Sequence, residues 1–299
     1  MTDAPLPDPV REPTAPQTAR LRPSTKAGRI VRHLLRNQLV LLGLGLTVFM
    51  IVIALAAPWL ATHDPLDTDP RNRLQPPSAE HLMGTDNFGR DLFSRVMHGA
   101  SVSMRVGFAV VFLSTVVGMI LGLVAGYFRA WDGILMRFTD GLMAFPGILL
   151  AIAILAALGP NEANVILALS VSYAPKVARV VRGQVLSIRE LDYVQAAIAS
   201  GGSNWRIVMR HIVPNSMSPT IVQSTFILAL AILAEAGLSY IGAGTPPPAP
   251  SWGNILSEGG QFMYQAPWLT VFPGIFIMIA VLGINLLGDG LRDILDPRM

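Results

Sequence analysis

Long apolar runs without a single charge constrain this chain more than any other feature. Asn37 to Thr62 holds no Asp, Glu, Lys or Arg, and neither does Val106 to Phe128. An α-helix rises about 1.5 Å per residue, so each run can cross a hydrocarbon core of about 30 Å. The length of 299 residues would also allow two soluble domains, but only 14% of the residues are charged and 52% are apolar. Soluble domains carry about 25% charge. The chain therefore reads as a polytopic membrane protein.

Four further segments complete the set. Ile134–Leu158 has Arg137 and Asp140 near its start and Pro146 inside it, where a kink is expected. Ala163–Val181, Ser216–Ile241 and Trp268–Leu287 follow. The expected fold class is all-α, with six transmembrane helices. The first run is read as a retained span, because the stretch before it is long for a signal peptide and the run itself too extended. Gly118, Gly122 and Gly126 recur every four residues, which permits close helix–helix contact.

Outside the spans, residues 1–23 hold six prolines and read as a disordered tail. Ser24 can cap a basic amphipathic helix built on Ala27, Ile30, Val31, Leu34 and Leu35, followed by the first span to residue 62. Residues 63–105 are expected to be an outer loop, and 106–299 a core of five spans with a polar stretch at about 182–214. Lys and Arg set the sidedness. Arg11, Arg20, Arg22, Lys26, Arg29, Arg32 and Arg36 precede the first span. Lys176, Arg179, Arg182, Arg189, Arg206 and Arg210 lie around the fourth-to-fifth loop, whereas 243–265 has no Lys or Arg. This bias puts both termini and the 182–214 stretch in the cytoplasm.

Catalytic chemistry finds few residues. There is no cysteine, no HExxH, and neither Lys26 nor Lys176 follows the Gly-x-x-x-x-Gly of a phosphate loop. No catalytic residue, cofactor site or metal site is expected in the chain, and no nucleic acid as partner. Glu235 is the one deep acidic candidate. Its position in the fifth span places it roughly 28 Å from Ser216, where it would reach headgroups or water; a role at an outer gate is the alternative.

The most unusual polar stretch is Gln195–Pro214. After Gln195, small residues at Ala196, Ala197, Ala199 and Ser200 and the Gly201-Gly202 pair lead into an amphipathic run with Trp205, Arg206 and Ile207, and Pro214 is expected to end it. Such a stretch predicts a cytoplasmic helix–bend–helix that fits a cleft on a partner, with an ordinary interfacial helix as the alternative.

That stretch resembles the cytoplasmic coupling signature of the membrane permeases of ABC importers: Ala196, Ala197, Gly201 and Pro214 match, with Gln195 where Glu is usual and Val213 where Leu is usual. Two outer motifs resemble the dipeptide/oligopeptide/nickel group within that family. They are Gly84-Thr85-Asp86 with Gly89-Arg90-Asp91 and Ser94-Arg95, and Gly237-Leu238-Ser239 with Pro247, Pro248 and Ser251-Trp252-Gly253-Asn254. The end, Asp289-Gly290-Leu291-Arg292-Asp293 and Asp296-Pro297-Arg298, is similar as well, and the whole looks like the C-type subunit.

The resemblance implies the type I importer fold in the cell membrane and a second, homologous permease beside the chain. It further implies two ATP-binding subunits that carry ATP and Mg, and an extracytoplasmic solute-binding protein that delivers di- or oligopeptide. Trp205 and Ile207 would then be apolar anchors in the ATPase socket. Asp86, Arg90 and Asp91 are expected to pair among themselves and fix the outer loop, and Trp252 to pack. Nickel, glutathione and other small solutes are alternative cargoes. A gradient-driven transporter and a non-transporting scaffold are the rival classes.

Overall fold

The computed structural model describes residues 37–295. The expected tail, the amphipathic helix from Ser24, and Asp296-Pro297-Arg298 lie outside the described residues. The described chain is helical: α1 (Gln38–Leu60), α2 (Leu92–Tyr127), α3 (Arg129–Met143), α4 (Gly147–Leu158), α5 (Glu162–Arg189), α6 (Asp192–Ala199), α7 (Asn204–Ile207), α8 (Val213–Tyr240), α9 (Trp252–Gly260) and α10 (Trp268–Leu295). Five helical stretches are long and apolar enough to cross a membrane, and α3 with α4 makes a sixth if the bent pair is one span.

Four segments differ from their expected form. The second span starts earlier than Val106. Asp91 caps α2 by accepting from the Ser94 N–H at 2.8 Å, so the helix runs 36 residues, about 54 Å, and its first turns pack with the loop before it. The third span does not merely kink at Pro146 but breaks, with α3 and α4 at 89°. Pro146 cannot donate to the helix and biases Phe145 away from helical dihedrals, so the chain restarts as α4 at Gly147. The fourth span continues past Val181 to Arg189, straight through Pro175. The outer 243–265 stretch, expected as a loop, contains α9.

The central seam joins α2 to α5. A Cβ added at Gly118, Gly122 or Gly126 would lie 2.5 to 2.7 Å from the Cβ of Val177, Val181 or Val185, each four residues on from the last. The glycine stripe of α2 thus receives the valine stripe of α5, and the backbones meet where any side chain would clash. Arg105 and Glu162 close one end of the pair with bonds of 2.8 and 2.9 Å, and Arg189 donates to the Gly126 carbonyl at the other. On the far side, α1 lies against α10 through Gly43 and Gly283, and α10 against α8. Val40, Met50, Ile53 and Ala57 face inward, while Leu42, Phe49, Val52, Leu55 and Trp59 remain exposed, the pattern of a peripheral helix that shows one side to lipid.

This seam yields a direct test. Gly122→Ala puts a methyl group 2.6 Å from the Ala178 carbonyl oxygen, whereas Gly133→Ala on α3 meets open space. The first substitution is expected to cost about 1–3 kcal/mol and to lower the melting temperature of the purified protein in detergent; the second should leave it unchanged or slightly higher. Equal melting temperatures would contradict the seam.

Candidate functional site

One end of the molecule carries the helix–bend–helix. Its first arm is α6, and its second, α7, does not stop at Pro214. A single wide π turn, Val208–Ile212, joins α7 to α8, and Pro214 is the second residue of α8. The extra residue in the turn makes room for the proline ring, and the Val213 N–H reaches back five residues to the Val208 carbonyl. Between the arms Gly201 takes φ +77°, a conformation costing other residues about 1–2 kcal/mol. Gly202 packs against the Ala197 carbonyl and Ile207.

The two faces of this hairpin separate cleanly. Val194 and Ile207 are buried in the protein's own core, with Ile207 only 1% exposed. Ile207 is therefore not available to a partner, contrary to its expected role as a docking anchor: the chain folds it inward to hold α7 down. Leu191, Tyr193, Ile198 and Trp205 point outward, with Trp205 71% exposed. Gln195, Ala196, Gly201 and Arg206 are exposed beside them. Gln195 uses its amide to donate to the Arg189 carbonyl at the end of α5, 2.8 Å away, a bond a Glu could not make. Tyr127 donates to Asn204 at 3.0 Å and Asn215 to the Tyr193 hydroxyl at 3.2 Å, so the hairpin is tied to α2 and to α8. Asp132 and Arg182, bonded at 2.5 and 2.7 Å, fasten α3 to α5 nearby.

The other end is an ionic clasp. Asp86 accepts from Arg90 Nε at 2.6 Å and pairs with Arg95, and both arginines also bond Glu258 of α9, at 2.5 and 2.8 Å. Two guanidiniums against two carboxylates balance in charge, which is what makes a 1%-exposed Arg95 tolerable. Asp86 and Arg90 pair as expected. Asp91 does not join them: it caps α2 and meets His81 Nδ1 at 2.9 Å. Arg95 stood in the outer motif, but Glu258 could not be found from the sequence, because it lies 168 residues from Arg90.

The other outer residues serve the same construction. Thr85 bonds the Asn72 carbonyl and accepts from the Gln75 N–H at 2.8 Å, while its own carbonyl accepts from the Trp268 indole at 3.2 Å. Gly84 lies against that indole, and Gly89 against the Asp69 backbone. Ser251 caps α9, and Asn254 holds the Thr245 and Ala249 carbonyls. Trp252 is fully buried, donates to the Val96 carbonyl at 3.1 Å and fills the space beside Gly99; Gly253 packs on α8.

Glu235 overturns its expected setting. It reaches neither headgroups nor water but is fully buried, accepting from Ser103 at 2.9 Å and Ser239 at 2.8 Å. Distance along the helix says nothing of burial: α2 and α9 pack against α8 around it.

Residues 114–299 match the family described as "Binding-protein-dependent transport system inner membrane component", and 26–77 match the N-terminal transmembrane domain of oligopeptide transport permease C. The chain belongs to the binding-protein-dependent transport permease family. A protein named for a peptide transport system permease in Brucella abortus is 52% identical over 268 residues, 90% of each chain. The dipeptide transport system permease protein DppC of Alkalihalophilus pseudofirmus is 45% identical over 98% of this chain and 96% of that one. The glutathione transport system permease protein GsiD of Pectobacterium atrosepticum is 42% identical over 90% of each. In architecture the permease is similar to the membrane chain of an inward-facing MetNI methionine ABC transporter, with a TM-score of 0.55 at 19% identity over 67% of this chain and 96% of that one. The importer fold expected from the sequence is the one observed. The protein is thus a membrane subunit of an ATP-driven importer, with ATP hydrolysis the work of separate subunits.

Removing Asp86 should expose the clasp's weight. Asp86→Ala leaves two buried guanidiniums with one carboxylate, expected to cost about 3–5 kcal/mol. Arg105→Ala breaks a solvent-exposed pair, expected to cost about 0–1 kcal/mol. Melting of the two variants in detergent should differ accordingly; similar losses would show that the clasp is not what closes the outer end.

Proposed function

We propose that this permease forms one half of the membrane pathway of a peptide importer, and that α6 and α7 are the element gripped by a cytoplasmic ATPase subunit. The observation that carries the proposal is the division of the hairpin into two faces. Val194 and Ile207 pin it to the bundle, while Tyr193, Ile198 and Trp205 present apolar surface with nothing over them. An isolated monomer gains nothing from exposing a tryptophan there; a socket on a partner would cover it. Because Asn204 bonds Tyr127 and Gln195 bonds the Arg189 carbonyl, the hairpin is tied to the α2–α5 seam, and a push on it would move the spans as a body.

The Lys/Arg bias supports placing the hairpin and both termini in the cytoplasm, with the ionic clasp on the outer side. The other half of the pathway would be a homologous permease. ATP and Mg would sit on the partner ATPases, and an extracytoplasmic binding protein would deliver cargo. Peptide is the cargo that the names of the 52% and 45% identical relatives support. The glutathione permease at 42% identity keeps that tripeptide as a second reading.

The test exploits the absence of native cysteine. Ser200→Cys, exposed on the hairpin, should cross-link to a cysteine in the ATPase of the assembled importer, and no such cross-link would overturn the docking. Gly201→Val forces a β-branched residue into φ +77° and should abolish uptake while membrane insertion persists. Gln195→Glu loses one exposed hydrogen bond, about 1 kcal/mol, and should keep uptake. Trp205→Ala should lower transport-coupled ATP hydrolysis at least tenfold without changing the melting temperature of the permease alone; full coupling in that variant would contradict the grip.

A further inference from the structure

Three side chains far apart in sequence meet at the outer end without any part in the clasp. His63 follows α1, His81 lies in the loop, and Asp91 caps α2. Each offers a donor atom within 4.8 Å of the other two. His81 Nδ1 is 2.9 Å and His63 Nδ1 3.9 Å from the same oxygen, Asp91 Oδ1, and the two rings lie 4.9 Å apart. We infer that His63, His81 and Asp91 form a binding site for a borderline divalent cation of the zinc type, one that clamps the end of α1 and the outer loop to the start of α2.

The distances fit a shared cation. Bonds of about 2.0–2.1 Å in a tetrahedral zinc site set donors about 3.3 Å apart. The separations of 2.9 and 3.9 Å bracket that value, so small side-chain rotations bring both nitrogens to one ion. A hydrogen bond to Asp91 needs only His81. The second imidazole is turned the same way: the Thr62 hydroxyl, 3.0 Å from His63 Nδ1, holds that ring with its nitrogen 3.9 Å from the same oxygen.

The donor set is two neutral nitrogens and one carboxylate, the chemistry that suits zinc and its neighbours rather than calcium or magnesium. A second layer is present. Asp91 Oδ2, the oxygen turned away from the rings, accepts from the Ser94 N–H at 2.8 Å and from Thr62 at 3.4 Å, which fixes the carboxylate's orientation. The His63 N–H in turn donates to the Ser94 hydroxyl at 3.0 Å, holding the segment after α1 against α2. Asp91 is buried, His81 nearly so, and His63 part-exposed, so the site has one open side for entry and for a fourth ligand from solvent. The positive end of α2 opposes a cation, but Asp91 stands between the two and supplies a full negative charge.

The experiment uses the assembled importer in lipid nanodiscs, stripped with chelator and desalted, then loaded with Zn2+ alone. The native complex should retain one more zinc than the His63→Ala, His81→Ala double variant, and zinc should raise its melting temperature but not that of the double variant. His98→Ala, which alters a histidine outside the cluster, should behave as native. X-ray absorption at the zinc edge of the native complex should show two imidazoles at about 2.0–2.1 Å. Equal zinc in native and double-variant complexes would mean an adventitious ion only and would overturn the site. If the double variant fails to assemble, the absorption spectrum of the native complex decides, and a first shell without two imidazoles overturns it.

Discussion

Everything in this permease hangs on how closely α2 approaches α5. In a membrane the hydrophobic effect does not press one apolar helix on another, so association depends on van der Waals contact between backbones that can come near. Gly118, Gly122 and Gly126 remove the side chains from one helix, and Val177, Val181 and Val185 fill the vacated strip from the other. The valines lose little rotamer freedom on burial, because β-branching already restricts them in a helix. The 36-residue α2 then runs from the ionic clasp at Arg95 to Tyr127 beside the hairpin. One stiff element joins the two ends at which partners are proposed to act.

Each end is fixed by a different kind of force. The hairpin is held by apolar burial at Val194 and Ile207 and by a few hydrogen bonds, leaving its other face open. The outer end is held by buried charge. Buried ion pairs add little net stability, yet they are costly to break and they select one arrangement over its neighbours. Asp86, Arg90, Arg95 and Glu258 therefore serve as a registration device for α9 and the outer loop. Glu235, satisfied by Ser103 and Ser239, joins α2 to α8.

Much of this was legible in the residues. Span existence follows from uncharged length alone, and the glycine stripe and the Gly201 bend follow from the absence of a Cβ. What was not legible depends on contacts distant in the chain. Ile207 reads as a docking anchor until Gly202 and the bundle are seen to enclose it. Pro214 reads as a helix terminus because a π turn before it leaves no mark in composition. Glu235 has the depth of a residue near water, and only α9, hidden in a proline-rich stretch, shows why it is dry. His63, His81 and Asp91 lack the short spacing of a metal motif because three separate segments bring them together.

The central claim is that the hairpin and the ionic-clasp end move as one body through the α2–α5 seam. It is tested most directly by spin labels at Ser200 and at exposed Glu80 of the same chain, placed in an importer whose other subunits carry no cysteine. Pulsed electron resonance would read their separation without nucleotide and with ATP bound. The account predicts one unchanged distance distribution in both states while uptake proceeds. A shift larger than the spread of the labels themselves would show that the seam bends, and would contradict it.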